Sequence, residues 1–198
     1  MKTNMKKMMS AMFAAVMVFA AAGARGQQAA PADAQKMADM GPMPNPVSAT
    51  VKGQLPRFSK NIVAAAEAMP AEKYSFKPTP EMNTFAHLIM HTTQSNNILC
   101  AKISGAAAPD AKYSDTDPKD KLVAALKASF EFCTTALANV DDSKLGEQMM
   151  LFGNRPSSRA AAMIGLSDGW NDHYGAEAVY LRLSGILPPT AQPQPEKK

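Results

Sequence analysis

The groups in this 198-residue chain best suited to chemistry are its three histidines, His87, His91 and His173. His87 and His91 stand four apart in a stretch of helical period, so both can aim at one centre, a spacing that metal sites use. His173 belongs to a later helical stretch, which in a bundle can face the first. Neutral imidazoles converging from two helices could hold one divalent transition metal (Zn²⁺, Ni²⁺ or Fe²⁺) with water in an open position. The bound water or a thiol would then ionise near neutrality. Histidine pairs at this spacing also arise readily by chance, and the plainer alternative for His87 is a partly exposed residue with ordinary partners. The sequence has no glycine-rich phosphate loop, Gly-x-Ser-x-Gly elbow, Cys-x-x-Cys or His-Glu-x-x-His.

Four helical segments must position these groups. Asn45-Pro46 opens the first, Pro56 either kinks it or marks its true start, and Phe58, Ile62, Ala65, Ala66 and Met69 repeat with helical period up to Pro70. Thr79-Pro80-Glu81 reads as the start of the second: a hydroxyl cap, a proline and an acid in the first turn. Phe85, Leu88, Ile89, Thr92, Asn96 and Leu99 give that helix a mixed face, and Gly105 ends it. Asp117-Pro118 starts the third, with a stripe from Leu122 to Val140. Residues 141–154 read as an irregular connection, and the fourth helix is expected from about Pro156 to Ser184. Along it Leu166, Trp170, His173, Glu177 and Tyr180 share one face, before Gly185, Pro188 and Pro189 stop it. Trp170 and Tyr180 most simply fill a core, and Arg182 suits the free carbonyls of a last turn. With no convincing strand pattern, the expectation is an all-α four-helix bundle.

Cys100 and Cys133, the only cysteines, test the topology. In a tight hairpin of helices two and three they would lie about 16 Å apart, too far to bond. If the stretch 106–117 is a long crossover, the helices run parallel and both cysteines lie near the same ends. The crossover length favours the parallel pair and a disulfide, with two buried free thiols as the alternative.

The N-terminus carries an address. Lys2, Lys6 and Lys7 precede an apolar run from Ala11 to Ala22, followed by the small residues Ala22-Gly23-Ala24. That is the pattern of a secretory signal peptide over 1–24, and the run is short for a membrane span. The expected location is periplasmic or secreted, with no stable membrane span after cleavage and an oxidising environment for the cysteines. Without those three lysines the formal charge falls from +4 to +1, so nucleic acid is not an expected partner. Residues 25–44 read as a flexible linker, 45–187 as the bundle and 188–198 as a polar tail.

Two stretches resemble a known family. His173-Tyr174-Gly175, then Tyr180-Leu181-Arg182 and Gly185-Ile186-Leu187-Pro188-Pro189, resemble the last helix of DinB/YfiT-like proteins. Met69 through Met82, with Phe85 and His91, resembles the junction of that family's first two helices. The resemblance implies a four-helix bundle of DinB/YfiT type with a long crossover between helices two and three. It also implies a metal triad built from one histidine of helix two and an i/i+4 pair of helix four. His91 and His173 match two members; the third position is Gly169, which offers no donor, so His87 or Glu177 would have to complete the set. Family members with intact triads are regarded as metal-dependent enzymes, several of them thiol transferases. Two functions follow as expectations. One is a divalent-metal-dependent transferase or hydrolase with a partly degenerate triad and Tyr180 orienting the substrate. The other is a non-catalytic envelope protein that binds a small molecule or partner in the same cleft. Dimers are common for such bundles, so a homodimer is one assembly open to the chain, whose oligomeric state the sequence does not give.

Overall fold

The computed structural model describes residue 36 and residues 40–193. The expected leader, most of the linker and the end of the tail lie outside the described residues. Four helices make the fold: α1 (Pro46–Ala68), α2 (Phe85–Ser104), α3 (Lys119–Leu137) and α4 (Arg159–Leu183). Among the described residues no helix is long and apolar enough to cross a membrane.

α1 begins without help from its own cap residue, because Asn45 sits in the left-handed region with φ 50°. A distant carboxylate replaces the cap: Asp142 accepts hydrogen bonds from the backbone N–H of Val47 at 2.9 Å and of Ser48 at 2.8 Å. Asn45 Oδ1 returns the favour by accepting from Asp142 N–H at 3.1 Å. Two free helix donors and the helix dipole are thus satisfied by a loop nearly 100 residues away. α1 runs unbroken through Pro56, which faces solvent, so the carbonyl it leaves without a donor is open to hydration.

The second helix starts later than its sequence signals suggest. Thr79 closes only a turn, with Met82 N–H donating to its carbonyl at 3.2 Å. α2 begins at Phe85, where Thr84 Oγ1 accepts from His87 N–H at 3.0 Å. The first two donors of α2, Phe85 and Ala86 N–H, reach the carbonyls of Phe76 and Tyr74 at 3.1 and 2.8 Å. Tertiary partners therefore decide between two plausible caps.

α2 ends at Gly105, whose φ of 81° suits the left-handed turn. The crossover over 105–118 then returns the chain to the starting end, and α3 runs parallel to α2. Asn96 Nδ2 donates to Ser129 Oγ at 3.0 Å, and Cys100 lies at disulfide distance from Cys133, Cα atoms 5.2 Å apart. Both pairs are 33 apart in sequence, the constant offset of parallel neighbours.

Between α3 and α4, where an irregular loop was expected, a short antiparallel ribbon forms from β1 (Gln148–Met150) and β2 (Pro156–Ser158). Three residues a side are too few to show an alternating pattern in sequence. The ribbon also takes Pro156 out of the last helix, which starts at Arg159 with Ser158 Oγ accepting from Ala161 N–H at 3.1 Å. The core lies between all four helices, with Ile62, Phe85, Ile89, Leu126, Leu137 and Leu166 buried around Trp170. Phe58 and Phe130 flank that indole with ring centres 6.0 and 6.2 Å away.

Candidate functional site

α2 and α4 bring two of the three histidines together. The rings of His91 and His173 stand nearly perpendicular, 85°, with centres 5.0 Å apart. Two imidazoles on one tetrahedral ion, with metal–nitrogen bonds of about 2.0–2.1 Å, hold their ring centres about 5 Å apart. These two residues therefore have a spacing that one ion can use. His173 is half-buried, and burial, then the neighbouring His91, lowers its pKa against a weaker upward pull from Asp172. It is held as the neutral imidazole that a ligand or a proton acceptor must be.

His87 does not join them. Its ring lies parallel to His91 with centres 6.3 Å apart, and its Nδ1 turns to Asp115 Oδ2 on the crossover at 3.6 Å. Parallel rings at that distance cannot both direct a nitrogen at one tetrahedral centre. Glu177 does not line the site either. It is fully buried in the core, neither oxygen has a partner, and burial raises its pKa well above the usual carboxylate range. Tyr180 is committed elsewhere: its ring is buried and its hydroxyl donates to the Asn83 carbonyl at 2.7 Å.

At Gly169 the helix offers only backbone. A Cβ there would meet only His173 Nε2, at 3.7 Å, and at Gly165 one turn earlier it would meet nothing within 4 Å. The bare strip opens a cavity of about 320 Å³ beside the histidine pair, floored by Leu166 and Trp170, walled by Leu99 and edged by Phe152. Among the described residues no group of three or more His, Cys, Asp or Glu side chains converges as a metal cage. Two donors and an empty third position do not fit the three-ligand site that the resemblance implies. A larger groove of about 540 Å³ runs between α1 and α4 past Gln54 and Ser167, but holds no histidine.

A buried polar network fixes the cavity floor. Trp170 Nε1 donates to Asn96 Oδ1 at 2.8 Å, Asn96 Nδ2 donates to Ser129 Oγ at 3.0 Å, and Ser129 Oγ donates to the Leu126 carbonyl at 2.7 Å. Three helices are tied through one amide, whose side-chain donor and acceptor are both used. Sequence reasoning placed Asn96 on the face of α2 without assigning it this role; the signal was a polar residue inside an apolar stripe. Gly165 and Phe152 gave no comparable signal.

With fold and site in view, the class is clear. Residues 54–166 match the family model of the DinB superfamily, more than half of the chain, and the chain belongs to that superfamily. The matched stretch contains His91 and stops short of Gly169 and His173. Among solved structures, a DinB-like protein from Bacillus subtilis is similar, with a TM-score of 0.58 at 20% identity over 73% of this chain and 99% of that one. A DinB-like protein from Bacillus cereus follows with 0.56 at 17% identity over 67% and 89%. A conserved protein from Enterococcus faecalis gives 0.54 at 14% over 69% and 95%. At these identities the likeness shows the fold alone. No curated protein matches the chain significantly.

Proposed function

We propose that this DinB-superfamily protein is exported and uses the cleft between α2 and α4 to bind a small organic molecule, without a resident metal ion. The observation that carries this reading is Gly169: the position that would supply the third donor has no side chain, and a cavity of about 320 Å³ opens there instead. A cleft of that size, lined by apolar side chains with a few polar groups among them, is of the kind that holds small ligands. Export is supported by the three-part N-terminal pattern and agrees with a cysteine pair placed to bond.

A second reading, a divalent-metal-dependent transferase or hydrolase, is favoured by the 5.0 Å perpendicular approach of His91 and His173. In that case Zn²⁺, Ni²⁺ or Fe²⁺ would rest on these two histidines and on donors from outside the chain. Elemental analysis of untagged mature protein separates the two. The ligand-binding reading expects far less than one equivalent of transition metal, and no stoichiometric uptake of added Zn²⁺ or Ni²⁺. One tightly held equivalent that His91→Ala abolishes would overturn it in favour of the metalloenzyme.

A further inference from the structure

The Cys100–Cys133 pair packs against the residue that holds the floor of the α2–α4 cleft. We infer that oxidation of these two cysteines sets that floor, so that the cleft takes its ligand-binding form only in the disulfide-bonded chain. The inference rests on the small-molecule reading above and names the condition under which that site works.

Geometry comes first. Asn96 and Cys100 stand one turn apart on α2, as do Ser129 and Cys133 on α3. The two cross-pairs are therefore successive rungs between parallel helices. Asn96 Nδ2 donates to Ser129 Oγ at 3.0 Å in one, and the Cα atoms of Cys100 and Cys133 lie 5.2 Å apart in the other. Cys133 Sγ also lies 3.5 Å from the Asn96 carbonyl oxygen. Asn96 Oδ1 in turn accepts the indole N–H of Trp170 at 2.8 Å, and both residues line the cleft. Sulfur pair, amide and indole thus touch in series.

Energetics come second. Asn96, Ser129 and Trp170 are each only 1% exposed, so water does not replace a partner that moves away. A slip of α3 along α2 by one turn, about 5.4 Å, would carry Ser129 out of reach and leave the Asn96 amide unpaired. The amide would then turn to another acceptor and release the indole. A disulfide forbids that slip, because Cα atoms more than about 7 Å apart cannot be bridged. Without the bond, the register rests on non-covalent packing.

The lock is set during folding. One cysteine thiolate attacks a disulfide of a thiol-exchange partner, forming a mixed disulfide and releasing one partner thiolate. The second cysteine thiolate displaces the remaining partner sulfur and closes Cys100–Cys133. Two electrons pass to the partner, which leaves as two thiols carrying the two protons. Both cysteines are fully buried in the finished bundle, so small thiols reach the bond afterwards only through unfolding. A chain kept in a reducing compartment therefore lacks a formed cleft, which suits a protein that works after export.

Trp170 is the only tryptophan, so its fluorescence reports on the floor of the cleft. In the test, acrylamide quenches Trp170 in the oxidised mature protein and in the same chain reduced in denaturant and refolded with the reductant present. Cys100→Val/Cys133→Ala, which fills the sulfur space with methyl groups, carries the same comparison if the reduced chain does not fold. Oxidised Asp142→Ala, weakened at the start of α1 and outside the cleft, is the control for general loosening. All are held well below their urea transitions, with helix content followed by circular dichroism. The oxidised wild type and Asp142→Ala should be quenched weakly, and the bond-free chains several-fold more strongly at unchanged helix content. Equal quenching with and without the bond, or an equal rise in Asp142→Ala, would overturn the inference. Failure of both bond-free chains to fold would overturn it too, because the bond would then hold the whole bundle rather than the floor. Any small molecule that native mass spectrometry finds on the oxidised chain should be lost from the bond-free one. If the oxidised chain retains none, the ligand-binding reading fails, while the quenching comparison still decides whether the disulfide sets the floor.

Discussion

The carboxyl of Glu177 sits in the core with neither oxygen hydrogen-bonded, so ionising it in place would bury an unpaired charge. Burial raises its pKa well above 4.5, and the hydroxyl of Tyr74 is the titratable group whose own pKa a charge at Glu177 would push up, after burial. The sign follows directly. Below the unfolded-state pKa both states carry the proton and stability is at its fullest. As pH rises beyond it, the unfolded chain ionises while the folded one does not, and stability falls until the folded pKa is passed. Glu177→Leu removes that term. Urea denaturation from pH 5 to 8 should therefore show the variant gaining on the wild type by up to about 1.4 kcal/mol per pH unit. Parallel curves would mean that the charge finds a partner inside. At Gly169 the converse change is informative. Gly169→His restores a third donor one turn before His173, in space a Cβ can enter, and should turn a weak two-histidine site into a stoichiometric Zn²⁺ and Co²⁺ site. The d–d absorption of bound Co²⁺ reads this out; no gain in affinity would mean that His91 and His173 do not aim at one centre.

Helices, loops and ribbon differ in how far sequence alone discloses them. The four helices were legible because their apolar residues recur with helical period, and the parallel course of α2 and α3 followed from the length of the crossover. Their starting points were less so. Thr79 was the cap expected, but Thr84 caps α2, where the carbonyls of Phe76 and Tyr74 accept its first two N–H groups. The cap of α1 was out of reach altogether, since Asp142 lies far away in sequence and finds Val47 and Ser48 only once the bundle has closed. That contact is a lock between the first helix and the loop after α3. Asp142→Ala orphans two helix donors and should lower the urea denaturation midpoint. Asn45→Ala, which removes the return bond only, should lower it less; equal losses would show that the loop rather than the cap matters. The cysteine pair is the second tie at this scale. Closing a loop with a sequence separation of 33, it should contribute about 3–4 kcal/mol, seen as a lower denaturation midpoint in Cys100→Ala/Cys133→Ala.

At the scale of the whole molecule, the family resemblance pointed to His91, His173 and the gap at Gly169, and residue spacing pointed to His87 with His91, while the cavity was not legible. Its walls are defined by what Gly165 and Gly169 lack and by Phe152, which the unforeseen ribbon region brings to its edge. An absent side chain leaves no periodic trace, and a loop residue acquires a position only through tertiary folding. The proposed export rests on the sequence itself: Lys2, Lys6 and Lys7, then the apolar run from Ala11 to Ala22, then small residues at Ala22-Gly23-Ala24. Expressed from its own leader in a Gram-negative host, the protein should appear in the periplasmic fraction with an intact mass that begins at Arg25 and is two hydrogens below the reduced chain. Exchanging Lys2, Lys6 and Lys7 for glutamate should hold it in the cytoplasm with both thiols free, because the basic n-region orients the leader for translocation. An uncleaved chain in the membrane pellet would mean that the apolar run is an anchor. The bundle would then work at the membrane surface, and a ligand for the α2–α4 cleft would have to be sought there.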